Sequence, residues 1–204
     1  MKVGIVGGAG FVGSKLSTLF DELGRDVTVY DKVLSGESYV DVTKVYSLDG
    51  LLGADVLINL AAEHRDDVAP KCLYDEVNVV GASNICDAAR KHHISAIVFT
   101  SSVAIYGFAP PDTDESGGPN YFNDYGRTKY LAEQIYKEWQ AEDPESRTLV
   151  IVRPTVIFGE GNRGNVYNLL RQIASRRFLM FGDGTNRKSM AYVENVVAFI
   201  EYSL

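Results

Sequence analysis

Residues 2–19 constrain this chain more than any other stretch. Lys2-Val3-Gly4-Ile5-Val6 is apolar enough for a buried strand, and Gly7-Gly8-Ala9-Gly10-Phe11-Val12-Gly13 follows at once. Leu16, Leu19 and Phe20 then recur at helical spacing. Gly7, Gly10 and Gly13 stand three apart in the turn between strand and helix. The first permits a sharp turn, the second lets a pyrophosphate approach the backbone, and the third lets the helix pack closely on the sheet. A helix opening on such a turn presents unpaired N–H groups at the positive end of its dipole, where a phosphate binds well. Val27-Thr28-Val29-Tyr30 supplies the next strand and Asp31 closes it. An acid there accepts hydrogen bonds from ribose hydroxyls and disfavours a 2′-phosphate. The unit therefore predicts dinucleotide binding, with NAD preferred over NADP and that preference softened by Lys32.

The rest of the chain repeats the rhythm. Val56-Leu57-Ile58-Asn59-Leu60, Ala96-Ile97-Val98-Phe99 and Leu149-Val150-Ile151-Val152 are apolar runs suited to parallel strands buried on both faces. Ser38-Tyr39-Val40 is a short extended piece, and Thr43 is a candidate cap for the following helix. Residues 74–92 predict one long helix with Val77, Val80, Ile85 and Ala88 inward. Residues 121–142 predict another, with Leu131, Ile135 and Trp139 on one face. Residues 109–120 are a Pro-, Gly- and Asp-rich loop, and Arg65-Asp66-Asp67 reads as a solvated loop. Strand and helix alternate without hairpin signals until late, which predicts an α/β, Rossmann-type doubly wound parallel sheet with helices on both faces. Residues 1–160 read as the NAD-binding domain. Residues 161–204 read as a small, incomplete substrate-binding portion interleaved with it.

Composition narrows the class. The chain has 204 residues, 46% of them hydrophobic and 23% charged, with a net charge of −7. That length supports one substantial core, and the negative balance argues against a broad nucleic-acid surface. Cys72 and Cys86 form neither a disulfide framework nor a metal spacing. His64, His92 and His93 join no ligand cluster, so no metal is expected. No leader peptide and no stretch of membrane-spanning length are apparent, which leads us to expect a soluble cytoplasmic protein with no membrane partner.

Tyr125-Gly126-Arg127-Thr128-Lys129 places Tyr125 and Lys129 four apart in a helical context, on one face. A nearby ammonium would lower the phenol pKa and make Tyr125 a general base or acid near neutrality. Ser102 lies just past a strand end, where it can hydrogen-bond a substrate oxygen. Such a trio suits moving a proton at oxygen while a nicotinamide moves a hydride at the attached carbon. The pair alone would equally fit an exposed helix face; its place behind a dinucleotide turn and a Thr-Ser-Ser strand end favours chemistry.

With these residues in hand, the chain resembles the extended short-chain dehydrogenases/reductases, in the NAD-dependent epimerase/dehydratase family acting on nucleotide sugars. The opening glycine turn, Asp31, Asp41-Val42, Leu60-Ala61-Ala62 and Asn78-Val79-Val80-Gly81 resemble its cofactor segments. Thr100 through Gly107, the Tyr125/Lys129 pair, Arg153-Pro154-Thr155-Val156-Ile157-Phe158-Gly159, Gly182-Asp183-Gly184 and Tyr192 through Val196 resemble its later motifs. The resemblance implies that NAD contacts Gly7, Gly10, Phe11, Val12, Gly13, Asp31, Lys32, Asp41 and Val42. It further implies contacts from Leu60, Ala61, Ala62, Asn78, Thr100, Tyr125, Lys129, Pro154 and Val156. It makes Ser102, Tyr125 and Lys129 catalytic, with Ser102, Arg187 and Lys188 meeting a nucleotide-diphosphate sugar. Helices 74–92 and 121–142 would form a homodimer face. Val103 and Ala104 stand where sugar-nucleotide 4,6-dehydratases carry an acid pair, which argues against dehydration. The implied activity is NAD-dependent epimerisation at a sugar hydroxyl carbon, C4 in expectation. The alternatives are an NAD(P)-dependent ketosugar reductase and a non-catalytic NAD-binding sensor or scaffold.

Overall fold

A computed structural model describes residues 1–65, 67–180 and 182–204; Asp66 of the solvated loop lies outside the described residues. The core is a five-stranded, all-parallel sheet in the order β2-β1-β3-β4-β5. Its strands are β1 (Lys2–Val6), β2 (Asp26–Tyr30), β3 (Val56–Asn59), β4 (Ala96–Thr100) and β5 (Thr148–Val152). Their side chains alternate between two apolar layers, as the period of two requires. Val6, Leu57, Ile97 and Phe99 join one layer, and Val3, Ile5, Val56, Ile58 and Val98 join the other.

Register makes the site. Tyr30, Val6, Asn59, Phe99 and Ile151 lie at one level across the five strands. Asp31, Gly7, Leu60, Thr100 and Val152 therefore emerge side by side at the carboxyl edge, where open α/β sheets bind ligands.

Helix α1 (Phe11–Glu22) covers one face through Leu16 and Phe20, while Leu19 is only partly buried. The other face is covered by α2 (Cys72–Tyr74), α3 (Gly81–Lys91) and α4 (Asp124–Ala141). The long helix expected at 74–92 is broken: residues Asp75–Val80 form a π-turn between α2 and α3. The wider turn shifts the helical phase. Val80 is left 49% exposed and Asn78 turns inward, 4% exposed. The second expected helix starts at Asp124, because Asn123 caps it by accepting the Gly126 N–H at 2.9 Å. Its buried face is Lys129, Ala132, Glu133, Tyr136 and Trp139. Leu131 and Ile135 lie partly buried at its margin. Thr43 caps nothing; its N–H and hydroxyl both donate to Asp41, and a 3-10 turn runs over Val45–Leu51 from Lys44.

The last segment divides. After β5 come β6 (Val156–Phe158), α5 (Asn165–Ala174) and β7 (Met190–Tyr192), with β6 and β7 paired in parallel as a separate sheet. Helix α6 (Val193–Tyr202) then returns to the main body. Val193, Val196, Val197 and Ile200 complete the apolar layer beneath α1. Residues beyond 160 thus serve both the small sheet and the central core. Among the described residues no helix is long and apolar enough to cross a membrane.

Candidate active site

The glycine turn is closely packed at both ends. Gly7 has φ +81°, and a Cβ there would lie 2.6 Å from the Ala61 nitrogen, so only glycine lets the chain after β3 come this close. A Cβ on Gly13 would lie 2.5 Å from Gly8 Cα, which is how α1 packs onto the turn. At Gly10 a Cβ would meet only the Gly7 carbonyl, at 3.2 Å, leaving space beside the backbone for a ligand. Gly10 is also the N-cap of α1, with no side-chain cap and no acidic residue in the first turn. The first-turn N–H groups, including those of Phe11 and Val12, have no intrahelical partners. An open, positively polarised helix start beside a cradle that a side chain would fill fits the pyrophosphate of a dinucleotide.

Asp31 organises the adjoining corner. Its Oδ2 accepts the Ala9 N–H at 3.1 Å and its Oδ1 the Val33 N–H at 3.2 Å, which orients the carboxylate at the end of β2. Each oxygen keeps a lone pair, so accepting from ribose hydroxyls remains open to it. Lys32 beside it is exposed. Asp41 spends one carboxylate oxygen on Thr43, at 2.9 and 2.8 Å. Val42 is 5% exposed and packs against Gly81, where a Cβ would lie 2.7 Å from its methyl. The Val42 side chain is thus a core element, and its carbonyl accepts from Asn84 Nδ2 at 2.8 Å.

Asn59, the single polar residue in the β3 run, is explained by two contacts. Its amide donates to the Tyr136 hydroxyl at 2.7 Å, and its carbonyl oxygen accepts the Ala61 N–H at 3.0 Å. It fixes Leu60-Ala61-Ala62 against the glycine turn. Asn78 works similarly. Its Oδ1 accepts the Glu63 N–H at 2.9 Å; its Nδ2 donates to the Glu63 carbonyl at 2.9 Å and to Thr128 Oγ1 at 3.0 Å. With both amide protons taken, Asn78 positions the loop rather than offering donors to a cofactor.

Ser102 lies beside Tyr125, and Lys129, one helical turn on, reaches the end of β4 at the same edge of the sheet. The Ser102 hydroxyl accepts the Ala104 N–H at 3.1 Å, capping the 3-10 turn Val103–Tyr106, and it lies near enough to the Tyr125 phenol to favour its ionised form. Lys129, 2% exposed, donates from Nζ to the Thr100 carbonyl at 2.7 Å and lies 4.7 Å from the centre of the Phe99 ring. Here the expected electrostatics must be corrected. Burial raises the Tyr125 pKa above its ordinary value, and the nearby Ser102 hydroxyl only partly offsets it. Burial also lowers the Lys129 pKa to about 7, against a raising influence from Glu133. Lys129 points at the strand end, and desolvation outweighs any ammonium effect on the phenol.

Pro154 accepts the Val103 N–H at 3.2 Å, so the segment leading to Val156 and β6 is tied to the Ser102 turn. Arg187 and Lys188 lie on an exposed stretch before β7, and no hydrogen bond among the described residues ties them to the trio. A cavity of about 560 Å³ runs elsewhere, along the outer edge of β5 between Arg153, Pro154, Asn195 and Phe199. It is open because β5 is the last strand of the sheet.

A parallel sheet that ends on a phosphate-binding turn, with serine, tyrosine and lysine gathered at the same edge, defines a dinucleotide-dependent class of α/β domain. The model of the NAD dependent epimerase/dehydratase family matches residues 3–204, and the chain belongs to that family. It is 47% identical over 208 residues to N-acetyl-alpha-D-glucosaminyl-diphospho-ditrans,octacis-undecaprenol 4-epimerase of Escherichia coli O157:H7, covering 98% of this chain and 62% of that protein. It is 30% identical over 160 residues to UDP-glucose 4-epimerase of Vibrio cholerae, covering 74% of this chain and 48% of that one. Among solved structures, MoeE5 in complex with UDP-glucose and NAD superposes with a TM-score of 0.85 at 25% identity, over 97% of this chain and 69% of that chain. The chain thus spans about three fifths of the first relative's length and about half of the second's.

Proposed function

We propose that this is the cofactor-and-catalysis portion of an NAD-dependent epimerase that inverts C4 of a sugar carried on a diphosphate. The gathering of Ser102, Tyr125 and Lys129 at the level of the sheet where α1 opens uncapped carries the reading. NAD, when bound, supplies a reversible hydride acceptor. Tyr125, in its phenolate form, takes the proton of the sugar hydroxyl and returns it once the hydride has come back, and Ser102 steadies that oxygen. Lys129 carries a charge that responds to its surroundings near neutrality, because its pKa is lowered to about 7. The relative from E. coli O157:H7 is named for a sugar on a lipid diphosphate and that from V. cholerae for a UDP-sugar. The diphosphate-linked sugar is common to both, and the greater identity of the first favours a polyprenyl carrier over a nucleotide.

The reading also includes a homodimer through α3 and α4, and a cytoplasmic location where NAD is available. Light scattering that returns a monomer would remove the first, and fractionation away from the cytoplasm and its membrane face would remove the second. The activity test is incubation with NAD and either UDP-N-acetylglucosamine or polyprenyl-diphosphate-linked N-acetylglucosamine, with the C4 epimer resolved by chromatography and NMR. Epimer formation without net NADH supports the proposal. Stoichiometric formation of NADH and keto sugar would make the protein a dehydrogenase, the reverse of a ketosugar reductase, and NAD binding with no turnover on either carrier would make it a sensor.

A further inference from the structure

Glu133 is 0% exposed, yet it is a carboxylate whose only part in the chemistry above is the influence of its charge on Lys129. It lies one helical turn beyond Lys129 on α4. Arg153, directly after β5, meets it with two parallel bonds: Nε to Oε1 at 2.8 Å and Nη2 to Oε2 at 2.6 Å. The remaining guanidinium nitrogen, Nη1, donates to the Tyr106 hydroxyl and, at 3.4 Å, to the Glu115 carbonyl. The guanidinium also lies 5.3 Å from the centre of the Tyr106 ring. Lys137, a further turn along α4, stands 3.8 Å from Glu133 Oε2.

These partners belong to the segments that carry the trio. Tyr106 ends the 3-10 turn that Ser102 caps, Glu133 rides on the helix of Tyr125 and Lys129, and Arg153 precedes the proline whose carbonyl receives Val103. Near its start, α4 touches the same turn at Gly126, where a Cβ would lie 2.4 Å from the Ala104 carbonyl oxygen. The turn and the helix are thus fastened on both sides of the Ser102–Tyr125 contact. A buried ion pair is seldom more stable than apolar residues of the same volume, so fold stability alone does not account for it. A bidentate guanidinium–carboxylate pair does fix the mutual orientation of two elements.

We propose that Glu133, Arg153 and Tyr106 form a positioning clamp that holds the Ser102 turn against Tyr125. This rests on the catalytic reading above, and it predicts an effect on turnover rather than on cofactor binding. Tyr106→Phe should lower kcat about tenfold and Glu133→Gln about a hundredfold, the scale expected for ångström-level misplacement. NAD affinity and sugar KM should stay within about twofold of wild type. Arg153→Lys should fail to restore the rate, since it keeps the charge and loses the fork.

Amide hydrogen exchange gives a readout independent of activity. Both Tyr106→Phe and Glu133→Gln should speed exchange across residues 103–106 at least about tenfold, with residues 2–20 unchanged. Unchanged exchange across that turn in folded Tyr106→Phe would overturn the clamp, whether or not the wild type is active. So would unchanged kcat in an active enzyme, or NAD affinity falling in step with kcat. An inactive wild type with accelerated exchange in the variants would instead leave the clamp standing and remove the catalytic reading.

Discussion

Lys129→Met should abolish a pH dependence of stability that the wild-type chain shows between neutrality and pH 9. Burial lowers the Lys129 pKa from 10.5 to about 7 in the folded state. Between those values the unfolded chain binds a proton that the folded chain does not, so raising the pH favours folding. From pH 7 to pH 9 the lysine's contribution improves by about 2 kcal/mol, at about 1.4 kcal/mol per pH unit over the part of the window where the folded amine is mostly neutral. Other titrating groups are common to both proteins and cancel in the difference. The assay is urea unfolding of wild type and Lys129→Met at pH 7, 8 and 9, without added dinucleotide. The stability difference, wild type minus variant, should rise by about 2 kcal/mol across the series. A flat difference would mean that Lys129 keeps an ordinary ammonium in the folded protein, and the account of its burial against Thr100 and Phe99 would be wrong.

Tyr125→Phe should keep NAD affinity within a few-fold by calorimetry and remove turnover at least about a hundredfold; full activity would exclude the phenol from the proton transfer. Gly13→Ala places a methyl 2.5 Å from Gly8 Cα and 2.6 Å from the Gly7 carbonyl oxygen. It should cost about 1–3 kcal/mol in urea unfolding and weaken dinucleotide binding, since the turn itself must shift. Asn78→Ala removes the three contacts that hold Glu63 and Thr128. It should cost about 2 kcal/mol and raise hydrogen exchange at Glu63, whereas an unchanged Glu63 amide would refute the anchoring role. Of the two thiols, Cys72 is exposed and Cys86 is buried with its pKa pushed up to about 12. Native protein should therefore titrate one thiol with a disulfide reagent and denatured protein two.

The parallel sheet was legible because strands buried on both faces must be continuous apolar runs, and those runs bound β1 to β5 within a residue or so. The glycine turn, Asp31 and the Tyr125/Lys129 pair were legible because their spacing is local. The misses have physical causes. A π-turn inserts a residue into a pattern of period 3.6, so Val80 looks inward in the sequence and faces out in the fold. Asn123 before Asp124 is a readable cap that would have moved the start of α4 past Tyr121 and Phe122. The partner of Asn59 is 77 residues away, and no window on the sequence contains both. The pKa of Tyr125 depends on burial, which spacing does not report. Glu133, four after Lys129 on the buried face, was visible as a charge among apolar neighbours, but Arg153 had to be brought beside it to give it a role.

The return of α6 onto α1 bears on how the protein is made. The layer under the glycine turn contains Leu16 and Phe20 from the first strand–helix unit, and Val193, Val196 and Ile200 from α6. Arg25 and Glu201 join the same two regions at the surface. When the first unit leaves the ribosome, its apolar face has no cover, and the missing piece is translated some 170 residues later. At about 5–20 residues per second that delay is about ten to thirty seconds. Throughout it the phosphate-binding turn rests on an open layer, so cofactor affinity should appear late in synthesis, in one step with the docking of α6.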